Sequence, residues 1–391
     1  MRKNNLYIDV HVIQTLPPSC VNRGDTGSPK TAIYGGSVRA RVSSQCWKHA
    51  MRKFFMENYP EWDLGKRSKL IPGLIADAIK KQDAGISDED AMLMAKEMIL
   101  AASIEKAKEA GSEKAGKKAK NSSADSEETA KVGALFFISP AQIEKLAEIA
   151  LKYKVLESED GADKAKLKAE MKKDAELAVK ENPTIDMALF GRMAASNPLL
   201  SYDAASQVAH AISTHEVSNE FDFFAAIDEC LPEGEAGAAH IDTAEFNSST
   251  MYRYANINVK HLSKSLKKDT AKAVRDFVEA FVCSMPTGKQ NPFANKTLPD
   301  AVYVTIRTDS PVNMSGAFEK AVTTDGDGYI NKSIQTFVDY TANCYEDFGY
   351  PEVILANNRF KEYDKIEAMS LLNLLSRVEA EINERLSDEV I

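Results

Sequence analysis

Positively charged side chains are concentrated in a short part of the chain near its beginning. No aspartate or glutamate occurs from Thr26 to Met56, although the whole chain has a net charge of -9. A lysine or arginine that neutralises a phosphate releases condensed counterions, so such a cluster favours binding to a nucleic-acid backbone. Neighbouring hydroxyl and amide groups commonly bind phosphate and ribose oxygens. The candidate binding residues here are Arg23, Lys30, Arg39, Arg41, Ser43, Ser44, Gln45, Lys48, Arg52 and Lys53. An ordinary solvated face is the alternative.

Other kinds of chemistry have less support in the sequence. Gly288-Lys289 lacks the upstream glycine and the following serine or threonine of a phosphate-binding P-loop, so nucleotide hydrolysis is not expected. His210 and His215 are five residues apart and do not share a helical face, and the five cysteines form no CxxC pair. We therefore expect no metal site and no cofactor. Asp25 could hold a divalent ion beside a phosphate, and a turn-forming aspartate is the alternative.

One methionine has a setting that suits contact with bases. Met193 lies in the small-residue stretch FGRMAAS, which predicts a loop or tight turn. An unbranched apolar side chain in such a loop could wedge between stacked bases. Filling the protein core is the alternative.

The periodicity of apolar residues predicts the elements that position these side chains. Strands are expected at 6–13, 251–259 and 301–307, and a long loop rich in proline and glycine is expected from 16 to 36. Ser43 or Ser44 predicts the start of a helix that reaches about Tyr59. Further helices are expected at 204–212, 269–282 and 365–386.

The part of the chain between 61 and 185 reads as a helical insertion. Its composition is dominated by alanine, lysine, glutamate and methionine, and Ser139-Pro140-Ala141-Gln142 predicts a capping box at a helix start. Residues 105–131 have almost no large apolar side chain, so we expect a mobile linker there. The order of strands and helices around the insertion fits an α+β fold with a split βαβ or ferredoxin-like sheet. No membrane span or signal peptide is recognisable, and we expect a cytoplasmic protein.

Several stretches, in the same order, make the sequence resemble a known family. They are SCVNRGDTGSPKTAIYGGSVRARVSSQCWKHAMRK, MALFGRMAAS, QVAHAISTHEV, TAEFNSSTMYRYANIN and SGAFEKAV. With them the chain resembles the CasC-type backbone subunit of the type I-E CRISPR Cascade complex, in the RAMP superfamily, over 6–59 and 163–340.

The resemblance implies a fold with three parts. A modified RNA-recognition-motif (RRM) palm would comprise 1–60 and 186–340, the insertion 61–185 would be a helical fingers lobe, and a β-hairpin thumb would span about 234–252. A helical tail would follow at 341–391. The implied function is non-catalytic binding of CRISPR RNA in antiviral defence, by copies that polymerise along the guide spacer.

The resemblance also implies partners and individual roles. Besides the candidates above, Met193 would wedge at a displaced nucleotide and Thr243 would act with it from the thumb. Lys164 and Lys168 would lie near target DNA. The expected partners are CRISPR RNA, further copies of the chain, target DNA in an R-loop, and the large, small, 5'-end-capping and 3'-hairpin-binding subunits of the ribonucleoprotein.

Two alternatives come from other classes of protein. Related type III subunits cut RNA with an aspartate in the corresponding loop, so Asp25 raises the possibility of a metal-dependent ribonuclease. A helical scaffold that assembles without RNA is the second alternative.

Overall fold

The computed structural model describes residues 5–105, 131–154, 161–194, 197–227 and 238–387. Residues 106–130, and with them nearly all of the expected linker, lie outside the described residues. The chain divides into two compact units, one combining the chain up to Tyr59 with the chain from Ser206 onward and the other being Pro60–Ala205. The inserted unit therefore ends at Ala205, beyond the expected boundary at 185.

The unit that contains both ends of the described chain is built on a mixed sheet of ten strands, counted within the described residues. Its strand order is β12-β11-β10-β1-β9-β7-β3-β2, and β6 and β8 pair with further parts of β9. The pair β11–β12 is parallel and the other described pairs are antiparallel. The strands are β1 Tyr7–Ser19, β2 Thr31–Tyr34, β3 Ser37–Val42, β6 Ser206–Val208, β7 Ala211–Ser213, β8 Glu220–Ile227, β9 Ala238–Asn258, β10 Ala301–Arg307, β11 Val353–Asn357 and β12 Glu367–Met369.

Helices cover both faces of this sheet. On one face, α1 and α8 bury Trp47 and Phe281 against the guanidinium of Arg253 on β9, whose carbon Cζ lies 3.7 Å and 4.7 Å from the two ring centroids. On the other face, α10 buries Phe337 among tyrosines of β9 and β10. The helices of this unit are α1 Ser44–Asn58, α7 Val259–Leu266, α8 Thr270–Cys283, α9 Gln290–Phe293, α10 Ile330–Phe348 and α11 Leu371–Ser387.

The inserted unit packs helices around a two-stranded ribbon. Strands β4 Lys66–Ser68 and β5 Phe136–Ile138 pair antiparallel. The capping box predicted at Ser139 is present, with Gln142 as its reciprocal partner. The helices are α2 Ile71–Gln82, α3 Asp88–Ala101, α4 Pro140–Lys152, α5 Gly161–Lys180 and α6 Ile185–Phe190.

Strand β1 lies between β10 and β9 in the sheet, and both of its faces are covered. The alternation of apolar and polar residues therefore predicted the strand but not the burial of its polar side chains. Its apolar face is buried as predicted, and the alternating polar residues Asp9 and His11 are also only 1% and 2% exposed. Asp9 accepts a 2.7 Å hydrogen bond from the hydroxyl of Tyr254, and the side chain of His11 is 2.8 Å from the hydroxyl of Tyr252. Burial raises the pKa of Asp9 to about 7 and lowers the pKa of His11 to about 3.

Several expected secondary-structure elements differ from those in the structure. The strand that starts near Leu6 continues through Pro17 and Pro18 to Ser19, and the expected loop also contains the hairpin β2–β3. Its turn, Gly35-Gly36, has positive φ at both residues, which the sequence expectation treated only as a break. The helix expected at 204–212 is absent from these described residues, which form β6 and β7 on the edge of β9 instead. Short strands override helical spacing because β9 supplies backbone partners.

A second hairpin extends from the sheet. Strand β8 pairs with the first part of β9, from Glu220 opposite Phe246 to Ala226 opposite His240. The described part of the hairpin begins at Glu220, and residues of β9 from Asn247 onward pair with β1 in the central sheet. The expected thumb range 234–252 begins among residues outside the described ones, so it stays a prediction.

The C-terminal helix begins later than expected. The residues before it form β12, and α11 starts at Leu371 and packs against α8. Its buried side chains are those of the apolar stripe, which therefore packs within the same unit. They include Leu374, Leu375, Val378 and Ile382.

Candidate nucleic-acid interface

The first loop, residues 20–30, is joined to the start of helix α1 through Asn22. The amide oxygen of Asn22 accepts a 2.9 Å hydrogen bond from the backbone of Ser43, the N-cap residue of α1. The backbone carbonyl of Asn22 accepts a second bond of 2.9 Å from the backbone of Lys30. The side chain and the backbone of Asn22 are thus both hydrogen-bonded, and they hold the first loop beside the N-terminus of α1.

The same loop is also joined to the hairpin β8–β9. Ser28 donates a 2.7 Å hydrogen bond to one carboxylate oxygen of Glu245, and Asn219 donates a 3.0 Å bond to the other. Asn247 in turn donates to Asn219. The loop, helix α1 and the base of the hairpin therefore form one connected surface.

Two of the predicted cations, Lys30 and Arg41, are joined directly, because the backbone N–H of Arg41 donates a 2.8 Å hydrogen bond to the carbonyl of Lys30. Burial raises the pKa of the Cys20 thiol, and the charges of Lys289 and Arg23 oppose that rise. Lys30 opposes a similar rise at Cys46. His210 has a lowered pKa because it is partly buried and lies near Arg41 and Lys30.

Helix α1 presents its polar side chains in line. Gln45, Lys48 and Arg52 have the three-to-four spacing that places them on one helical stripe, where Gln45 is exposed and the two cations are half-buried. Ser44 is the first helical residue and is half-buried. Lys53 lies off this stripe and pairs at 3.6 Å with Glu57 on the exposed surface.

Two of the predicted binding residues have structural roles instead. Arg39 is 0% exposed, and its guanidinium donates to the backbone carbonyls of Ser213, Phe318 and Glu319. It therefore does not reach the binding surface, and we remove it from the candidates. Ser43 is buried, and its side-chain oxygen accepts from the backbone of Cys46 at 3.4 Å as the N-cap. It shapes the interface by setting the helix start.

Thr243 lies on the hairpin, where it is exposed and directly opposite Phe223. Phe221 and Phe223 are both 68% exposed and alternate along β8, which places them on one face of the hairpin. The stretch 220–246 contains eight acidic residues and no lysine or arginine. Such a hairpin offers aromatic faces but no cation for a phosphate.

In the inserted unit, the structure places Met193 at the surface. Its side chain is 86% exposed, so it does not fill the core. The preceding Arg192 is buried and donates to backbone carbonyls of Leu200, Phe137 and Val179. Gly191 has φ 77° and packs closely on Tyr202, where an added Cβ would lie 2.8 Å from a carbonyl oxygen. These residues fix the backbone that exposes Met193.

The two lysines expected near DNA lie on helix α5. Lys164 and Lys168 are exposed and four residues apart, and Lys172 continues the same row. Met171 and Ala175, at 5% and 0% exposure, turn towards the core of the inserted unit. The three lysines border this apolar face, because they line a cavity together with Met171 and with Met94 and Met98 of α3.

Sequence reasoning missed several residues of this surface. Lys289 was considered only for a P-loop, yet the preceding Gly288 packs against the backbone of Cys20 and Val21 at the start of the first loop. Asn22 was passed over as a loop residue, and Glu245 as part of the thumb. The alternation of Phe221 and Phe223 with Asp222 was visible and would have indicated an exposed aromatic strand.

The structure also locates the residues considered for other chemistry. Asp25 is exposed at the tip of the first loop, between the bridged residues Arg23 and Pro29. The described residues contain no group of three or more histidine, cysteine, aspartate or glutamate side chains that could hold a metal ion. His215 is buried, stacks on Tyr329 and accepts a hydrogen bond from the backbone of Thr250. Among the described helices, none is both long and apolar enough to cross a membrane.

The fold of the whole chain is similar to solved structures. Two similar solved structures are titled "CRISPR RNA-guided surveillance complex, pre-nicking" and "CRISPR RNA-guided surveillance complex". The first is 29% identical with a TM-score of 0.75, and the second is 27% identical with a TM-score of 0.68. Each alignment covers 96% of this chain and 99% of the other. No curated protein matches. The family described as CT1975-like protein matches residues 8–379, and the chain therefore belongs to that family.

Proposed function

We propose that this chain is a CRISPR RNA-binding backbone subunit of a type I-E surveillance complex. The observation that carries the proposal is the joined surface of the first loop, the start of α1 and the hairpin base. Arg23 and Lys30 are part of this loop, and Gln45, Lys48 and Arg52 form one stripe of α1, with Gln45 exposed. Cations beside a helix N-terminus suit a sugar-phosphate backbone.

The likeness to subunits of RNA-guided surveillance complexes supports the choice of partner. In such an assembly the protein reads backbone geometry, and guide pairing supplies sequence specificity. The large sheet would serve as an RRM-like palm, the inserted unit as fingers and the hairpin β8–β9 as a thumb. Copies would polymerise along the guide, kink it at regular intervals through Met193 and Thr243, and present it to target DNA near Lys164 and Lys168.

The subunit would supply binding, and cleavage of the target would belong to another protein. Substitution of Asp25 by alanine tests this assignment. A binding subunit keeps target interference after that change, whereas a ribonuclease that uses Asp25 loses its magnesium-dependent cleavage of RNA.

The decisive experiment is purification of the complex from cells that express the chain, its neighbouring subunits and a CRISPR array. The expected preparation has the absorbance ratio of a ribonucleoprotein and yields uniform repeat-spacer RNA on sequencing. Recovery of the same protein oligomer without RNA would instead favour the scaffold alternative.

A matched pair of variants makes this experiment specific to the proposed surface. Lys48→Ala/Arg52→Ala should reduce the recovered RNA. The control Lys264→Ala/Lys268→Ala removes the same charge from exposed positions in and just after α7. Helix α7 follows the end of β9 that lies away from the hairpin, so this control should not reduce the recovered RNA. Equal losses in both variants would show a non-specific charge effect and count against the proposal.

A further inference from the structure

A cavity of about 350 Å³ lies in the unit that contains the large sheet, between helix α1 and the segment 283–296. Cys46, His49 and Lys53 line it at helical spacing on one side. Cys283 and Ser284, at the end of α8, line it on the other. Pockets for small ligands usually span roughly 300–1,000 Å³, so this cavity is large enough to hold one.

The hydroxyl of Ser284 is the feature that indicates a ligand. This side chain is 5% exposed, and its Oγ has no hydrogen-bond partner among the described residues. A buried hydroxyl without a partner is unfavourable, because it loses its bonds to water and gains none. A polar group bound in the cavity would supply the missing bond.

The remaining walls indicate the class of ligand. Phe54, Met285 and Pro286 supply apolar surface, including the half-buried face of an aromatic ring. Lys53 and Lys296 add cationic groups at exposed positions. An aromatic ring suits stacking by a planar heterocycle, and nearby ammonium groups suit a phosphate.

The cavity adjoins the proposed RNA-binding surface. The residues that follow Gln45, Lys48 and Arg52 in the sequence are Cys46, His49 and Lys53, which line the cavity. Successive residues of a helix are about 100° apart, so the cation stripe and the cavity wall lie side by side on α1. Cys46 lines the cavity, and burial raises the pKa of its thiol while the charge of Lys30 opposes that rise. A strand bound along the cation stripe would therefore pass the cavity.

We propose that this cavity binds one nucleotide of the bound RNA, with the base against Phe54 and hydrogen-bonded to Ser284, and with its phosphate near Lys53. The inference rests on the proposed function and adds a second site to it. A free nucleoside monophosphate has the same chemistry, so the test must separate the two sources.

The test fills the cavity from an exposed position. His49→Trp adds a large side chain to the cavity wall, and Met56→Trp adds the same side chain to an exposed position of α1 that does not line it. The probe is a synthetic spacer RNA in which 2-aminopurine replaces one base at a time. The fluorescence of this base rises when it leaves the stack.

We expect bound RNA to show several-fold higher fluorescence at selected positions with the wild type and with Met56→Trp. With His49→Trp the enhancement should be lost while RNA affinity changes less than twofold, because the phosphate-binding cations remain. An enhancement of equal size with His49→Trp would overturn the proposal.

A second measurement keeps the inference separate from the proposed function. Alkylation of Cys283 by iodoacetamide, followed by peptide mass spectrometry, reports access to the cavity without requiring RNA binding. Protection by RNA, but not by millimolar AMP, identifies a nucleotide of the strand. Protection by AMP in a protein that fails to bind RNA would support a nucleotide site while the proposed function fails. Absence of protection by either probe would overturn the nucleotide site itself.

Discussion

The hydroxyl of Ser28 donates a 2.7 Å hydrogen bond to Oε1 of Glu245 and thereby joins the first loop to strand β9. The carboxylate is held from the other side by the amide of Asn219 at 3.0 Å. An acidic side chain thus organises a surface whose proposed ligand is itself an anion. Glu245 must therefore act by positioning the first loop, since its negative charge opposes RNA binding.

Glu245→Ala is expected to weaken RNA binding about tenfold, which corresponds to ~1.4 kcal/mol. The loss follows from freeing the loop that carries Arg23 and Lys30. Glu220→Ala removes the same charge from an exposed residue of the hairpin and should leave affinity unchanged or slightly higher. Fluorescence anisotropy with a labelled spacer RNA measures both. Tighter binding by Glu245→Ala would show that charge outweighs position.

Lys48→Ala/Arg52→Ala should weaken binding to all RNA sequences alike and flatten its salt dependence. If each cation neutralises one phosphate of a single strand, the slope of log K against log salt falls in magnitude by about 1.4. Filter binding from low to moderate salt gives this slope. An unchanged slope would exclude these two side chains from phosphate contact.

Met193→Ala should leave the overall affinity for RNA nearly intact, because the side chain carries no charge and 86% of it is exposed. The expected effect is a loss of periodicity in the nuclease protection of the bound guide. Leu199→Ala truncates another exposed apolar side chain of the inserted unit, at 74% exposure, and should preserve the pattern. The same periodic pattern in Met193→Ala would contradict the wedge.

Arg192→Ala should destabilise the inserted unit by about 3–5 kcal/mol, because it leaves several buried carbonyl groups without their donor. Arg67→Ala removes an arginine of the same unit that lies at the surface over Phe137, and should cost ~1 kcal/mol or less. Hydrogen exchange monitored by mass spectrometry resolves the effect to 161–194. Equal protection in both variants would show that other contacts hold the loop.

The buried pair Asp9 and His11 predicts opposing pH effects on stability. Asp9 has a pKa of about 7 in the folded state, against an ordinary value of 3.8, so between these values the native state binds more protons than the unfolded state. The contribution of Asp9 therefore lowers the stability of the fold as the pH rises from about 4 to 7. His11 titrates at about 3 when folded, against 6.5, so the unfolded state binds more protons and stability rises with pH between 3 and 6.5. The two effects largely cancel near pH 5.

Single variants should separate these contributions. Asp9→Asn should show stability that rises from pH 4 to 6.5, and His11→Gln should show stability that falls over the same range and up to pH 7. Urea unfolding at several pH values measures both slopes, each on the order of 1 kcal/mol per pH unit. Identical slopes in the two variants would mean that neither group titrates in this range.

Regular elements with strong periodicity were predictable from the sequence. The strand Ala301–Arg307, the capping box at Ser139 and the helix beginning at Ser44 all follow from local pattern. The short strands β6 and β7 did not, because their pairing residues on β9 are about 40 to 50 positions away in the sequence and supply the backbone hydrogen bonds that decide their conformation.

The candidate site was predictable in outline only. A cluster of cations near the first loop is a property of composition, and the sequence shows it directly. Burial is a property of the fold, so the sequence could not show that Arg39 binds three backbone carbonyls. Ser43, in contrast, was one of the two N-cap positions that the local pattern predicted. The contacts of Asn22 and Glu245 depend on chain segments that meet only after folding.

The hairpin β8–β9 differs from the cation surface in the kind of interaction that it can make. The stretch 220–246 contains no lysine or arginine and displays Phe221 and Phe223 to solvent, so its contacts gain from burying aromatic surface and not from counterion release. Added salt should therefore weaken RNA binding at the cation surface more than it weakens a contact made through these two aromatic rings.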